Sequence, residues 1–115
     1  MKFFIIFVLF ISSHLHANDL SQANKMTKTP EYNKIKKAYE TCVIKKGIEF
    51  IKVSSPSEAI KFAPIACKRE LLAIKQFFLS SAFKNEIINA LVQSVKEGTE
   101  IDLVNAVYKE RLKYF

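Results

Sequence analysis

Two cysteines constrain this chain more than any other feature. Cys42 and Cys67 have their midpoint between Ser54 and Ser55, inside the run Ser54-Ser55-Pro56-Ser57-Glu58. That run is a helix-start signal: Ser55 can cap, Pro56 suits the first helical position, and Glu58 completes a capping box. In an antiparallel helical hairpin, residues equidistant from the turn stand level with each other. Each cysteine also falls on the apolar face of its own segment, so the pattern predicts a Cys42–Cys67 disulfide, about three helical turns from the hairpin tip. Closing a loop of this length stabilises by about 3 kcal/mol in the chain-entropy picture. A structural zinc site wants four ligands, and a redox pair is usually a C-x-x-C at a helix start. With two cysteines 25 positions apart, a staple is the expected role, and no metal or cofactor is expected.

The segments on either side of the turn read as helices. Thr29-Pro30-Glu31 combines a cap, a proline at the first helical position and an acid in the first turn. The helix that follows, over 30–53, places Tyr32, Ile35, Tyr39, Cys42, Val43, Phe50 and Val53 on one face at 100° per residue. Gly47 lies at the edge of that face, where a missing side chain admits a neighbouring helix. A second helix over 56–79 keeps Ile60, Cys67, Leu71, Ile74 and Phe78 in phase through Pro64, which predicts a kink there rather than a break. Ser80-Ser81 is read as a boundary, followed by a third helix over 82–97 that Gly98 ends as a left-handed stop. Thr99 then caps a fourth helix, over 100–114, whose apolar stripe is Ile101, Val104, Tyr108, Leu112 and Phe115. Acids at its start and Lys109, Arg111 and Lys113 at its end suit the helix dipole. The expected class is all-α: a small four-helix bundle, or two helical hairpins.

The beginning of the chain follows a different pattern. Lys2 precedes the apolar run Phe3–Ile11, and Leu15-His16-Ala17 offers a small-residue cleavage site. That order marks a secretory signal peptide over 1–17. Nine apolar residues fall well short of the roughly 20 needed for a membrane span, so no span is expected in the mature form. Residues 18–29 read as a flexible polar leader, and 30–115 as one helical domain. Export, to a periplasm or beyond the cell, agrees with a disulfide. Cleavage leaves 98 of 115 residues and removes His14 and His16, both histidines of the chain. The charge, +7 in full, becomes +6 without Lys2.

Several residues suggest surfaces. Lys34, Lys37, Lys45 and Lys52 run along the first helix, and Lys61, Lys68 and Lys75 recur every seven residues on the second. These stripes serve either an anionic partner or solvation. Ile44, Ile48 and Ile51 form a second apolar strip on the first helix. Ile65, Leu72 and Leu79 form another on the second, at heptad spacing; one hairpin face cannot bury every strip, so one is a candidate protein-binding surface. Glu70 and Lys46 interrupt apolar faces. The mirror relation of the cysteines sets Glu70 level with Tyr39, which predicts a buried Tyr39–Glu70 pair.

The function classes divide on these features. Without a mature histidine, a glycine-rich phosphate loop, a nucleophile elbow or a metal set, catalysis is not expected. A carboxylate-dependent hydrolase is the weak exception, since Glu49, Glu58 and Glu70 do not obviously share a cleft. No aromatic-interleaved basic loop points to nucleic acid. The leading expectation is a non-catalytic exported protein that binds a protein partner, as an inhibitor, immunity or accessory factor does. The alternative is a cationic binder of a membrane surface or an anionic envelope polymer.

Overall fold

The computed structural model describes residues 17–114, with side chains from 21 onward. Apart from Ala17, the leader read over 1–17 lies outside them. The described chain is all helical: α1 (Ala17–Thr27), α2 (Pro30–Ile51), α3 (Pro56–Ala66), α4 (Lys68–Leu79) and α5 (Asn85–Leu112). No described helix is long and apolar enough to cross a membrane.

Local chemistry sets most boundaries. Thr29 Oγ1 accepts the Tyr32 N–H at 3.2 Å and caps α2, with Pro30 behind it. At the hairpin turn Ser55 Oγ accepts the Glu58 N–H at 3.2 Å, which starts α3 as the capping box requires. Ser54 Oγ donates to the Phe50 carbonyl at 2.6 Å and closes the end of α2. After α4, Ser80 Oγ donates to the Phe77 carbonyl at 2.6 Å, and Ser81 Oγ accepts the Phe83 N–H at 3.3 Å. The two serines draw backbone groups out of the helical ladder, as hydroxyls near helix ends do. The expected break is there, but α5 begins at Asn85 rather than Ala82.

Three further differences from the sequence expectation involve whole elements. Residues 18–29, read as a flexible polar leader, are mostly α1, which packs on α2 and buries Ala23. The expected helix over 56–79 is two helices that meet at Cys67. Pro64 removes a ladder donor, and the helix is interrupted three residues later. There Cys67 adopts φ −106°, ψ 25° and its N–H reaches the Pro64 carbonyl at 3.1 Å. The phase survives, because Ala63, Cys67, Ile74 and Phe78 are all buried. Finally, 82–97 and 100–114 are one helix. Gly98 has no positive φ and does not stop it, and Thr99 lies inside α5 as a buried residue instead of a cap.

The core forms where α2 packs against α3, α4 and α5. Tyr39, Val43, Ile74, Phe78, Ile88, Leu103 and Val107 are its large enclosed side chains. Tyr32, Phe77 and Phe78 cluster with ring centroids 5.5–5.8 Å apart and tie the start of α2 to the end of α4. Gly47 serves as expected. A Cβ there would collide with the Leu103 side chain and stand 3.1 Å from Val107 Cγ2, so α5 seats against bare backbone. This seat selects the buried face of α5. Val95, Thr99, Leu103 and Val107 point inward, whereas Ile101, Tyr108 and Leu112, read as its apolar stripe, are exposed at 65%, 50% and 73%.

Candidate functional site

Cys42 and Cys67 form the disulfide, with sulfurs 2.06 Å apart and Cα atoms 6.0 Å apart. Cys67 is fully buried and Cys42 half-buried. The Glu70 carboxylate lies within 4.8 Å of both sulfurs, because α4 begins at Lys68 and carries Glu70 one turn past Cys67. The expected Tyr39–Glu70 pair is therefore not made, and among the described residues the two share no hydrogen bond. Equal height along a hairpin does not imply equal direction around the helix. Tyr39 turns toward α5, where burial first and the Glu100 charge second raise its phenol above its ordinary pKa. Lys46 is half-exposed and pairs with Glu49 at 3.4 Å.

The lysines separate into two groups. Lys34, Lys37 and Lys45 line one open groove of about 570 Å³ on α2, together with Lys46, Thr41 and Cys42. Lys52 is elsewhere, in a recess with Ile51, Arg111 and Tyr114. The strip Ile44, Ile48 and Ile51 is largely covered: Ile51 is buried, and Ile44 and Ile48 are half-buried.

The other strip remains open to solvent. Ile65, Leu72 and Leu79 are 61%, 49% and 50% exposed. Phe62, which the sequence reading passed over, extends the row at 45% exposure, and the Lys61 ammonium lies 5.5 Å from its ring centroid. Its signal was present, since Phe62 stands three residues before Ile65 and seven before Arg69. Leu72 also belongs to a groove of about 390 Å³ between α4 and α5, lined by Leu71, Val92 and three lysines, Lys68, Lys75 and Lys96. No carboxylate lines that groove. The tertiary fold brings Lys96 of α5 beside the α4 lysines, which no local pattern announces.

The carboxylates weighed for hydrolysis have separate local roles. Glu49 pairs with Lys46, the Glu58 carboxylate accepts the Ser55 hydroxyl at 3.1 Å and Glu70 flanks the disulfide. Searches against protein-family models, curated proteins and solved structures find no match to this chain.

Proposed function

We propose that this is an exported, non-catalytic binding protein whose outer α3–α4 face receives an acidic amphipathic helix of a protein partner. The observation that carries the reading is the exposed row Ile65, Leu72 and Leu79, with Leu72 entering a groove whose only charged lining groups are lysines. Phe62, Ile65, Arg69, Leu72, Gln76 and Leu79 recur at alternating three- and four-residue steps, the spacing of a helix-pairing seam. Lys61, Lys68 and Lys75 follow one flank of that seam, while Ala66, Ala73 and Ser80 follow the other. In such seams the flanking charges choose the partner. A lysine flank favours glutamate-rich helices and opposes antiparallel pairing with a second copy, where lysine would meet lysine. Export is supported by the apolar leader Phe3–Ile11 and by the disulfide, which persists in oxidising compartments.

A photo-crosslinking residue in place of Leu72, in the full chain expressed in its own cells, tests the reading. A discrete protein adduct that vanishes with Lys68→Glu/Lys75→Glu/Lys96→Glu is expected. Only lipid adducts, or none, would overturn it. The four-lysine groove on α2 favours a second reading, adsorption to an anionic surface. That reading predicts vesicle or polymer binding that declines steeply with salt and is abolished by Lys34→Glu/Lys37→Glu/Lys45→Glu.

A further inference from the structure

Another cavity, lined by no residue of α3 or α4, differs from the α4–α5 groove in character. It is a half-open recess of about 250 Å³ where the end of α1 and the first half of α2 meet α5. Ligand cavities commonly exceed about 300 Å³, so this one suits a single small ring rather than a long chain. Three features of it are unexplained by the fold.

The first is Gly98. A glycine in a helix interior weakens the helix, and most such glycines are there to let something approach. Gly47 is one of those. Gly98 is not, because nothing lies within 4 Å of a Cβ built on it and its φ is not positive. It does line the cavity. The missing side chain serves no packing contact and leaves the cavity unfilled.

The second is Thr99, the one buried polar residue among those described, 3% exposed. Helical threonines usually return their hydroxyl to a carbonyl one turn back, as Thr27 does toward Ala23 at 2.9 Å. The Thr99 hydroxyl makes no such bond among the described residues. No fully enclosed polar side-chain atom there lacks a partner, so the hydroxyl is not sealed in; it opens on the cavity that Thr99 lines. A hydroxyl on a buried residue, without a protein partner and open to the cavity, can hydrogen-bond a molecule held there.

The third is charge. Glu40 and Asp102 both line the cavity, against one cation, Lys36, which stands 3.7 Å from Glu40. Asp102 has no ion pair among the described residues. In a chain of net charge +7, this cavity thus carries a surplus carboxylate, and Glu40 and Asp102 also line the adjoining groove beside Glu49, Lys37 and Lys45.

We propose that this cavity binds a small hydroxylated organic ammonium compound, of the amino-sugar class. The Asp102 and Glu40 carboxylates hold the ammonium, and the Thr99 and Ser94 hydroxyls hydrogen-bond the ring substituents. Hydrogen bonds to an ionised carboxylate are the strong ones, and Gly98 leaves the ring its space.

Amide NMR of the oxidised chain, titrated with glucosamine, tests this. Saturable shifts centred on Gly98, Thr99 and Asp102 are expected, with neutral glucose producing none. Asp102→Asn should weaken binding by about tenfold or more, the loss of one hydrogen bond to a charged group. Gly98→Leu should abolish binding while the melting temperature holds, since its side chain enters open space. Thr99→Val should weaken binding to glucosamine but not to a hydroxyl-free amine of similar size. Absence of saturable shifts would overturn the proposal. So would unchanged affinity in Asp102→Asn, or a hydroxyl-free amine that binds as tightly as glucosamine.

Discussion

Gly47 and Gly98 are the same residue type within helices, and their neighbours give them opposite meanings. At Gly47 an added methyl must displace Leu103 and crowd Val107, both fully enclosed. Overpacking of this kind costs about 1–3 kcal/mol, more than the roughly 1 kcal/mol that alanine returns through helix propensity. Gly47→Ala should therefore lower the urea midpoint. Gly98→Ala should raise it, with a gain in stability of up to about 1 kcal/mol, because the methyl meets only open space. Two phenols supply the pH prediction at this scale. Burial first, and a carboxylate second, raise Tyr32 (Glu40) and Tyr39 (Glu100) above their ordinary pKa. The folded state then holds these protons more tightly than the unfolded one, so stability is full below pH ~10, the unfolded phenol value, and declines as pH rises through the folded pKa values. Melting curves between pH 8 and 12 should show that decline, and Tyr32→Phe/Tyr39→Phe should flatten it. An unaltered slope would sink the assignment.

At the scale of elements, the hairpin α2–α3 rests on a cap and a staple. Ser55→Ala removes the acceptor for the Glu58 N–H and should cost about 1 kcal/mol. Reduction, or Cys42→Ala/Cys67→Ala, frees a loop of 25 residues and should cost about 3 kcal/mol by the loop-entropy relation. Denaturant titration of oxidised and reduced protein measures it. These elements were legible beforehand for a physical reason: caps, prolines and serine turns act through neighbours a few residues away. The continuation of α5 through Gly98 was not legible, because a helix tolerates an isolated glycine when burial on both sides repays it. Val95, Thr99 and Leu103 supply that burial. The Tyr39–Glu70 pair failed for a related reason. Mirror symmetry about a turn fixes height, whereas direction around each helix depends on which neighbours surround it.

At the scale of the molecule, one side of α2 is covered by α3, α4 and α5, while the far side of α3 and α4 is covered by nothing described here. Leu72→Glu should leave far-UV circular dichroism and the melting temperature near wild type, since Leu72 is 49% exposed, yet remove partner binding. A large fall in melting temperature would mean that Leu72 supports the core rather than a partner. The candidate face was half legible. Its apolar row and α4 lysines could be listed from heptad spacing, but their exposure could not, nor the arrival of Lys96 from α5.

The amino-acid sequence by itself determined the helical class, the pairing of Cys42 with Cys67, the Ser55 cap and the interruption at Ser80-Ser81, because these follow from local hydrogen-bonding options and simple distance along a hairpin. Only the tertiary structure decided which apolar strip is core. The long helices α2 and α5 each carry more than one apolar strip, and periodicity reports that a face is apolar without reporting what stands opposite it. Burial is a property of neighbours: the seat at Gly47 turned Leu103 and Val107 inward, and that choice left Ile101, Tyr108 and Leu112 facing water.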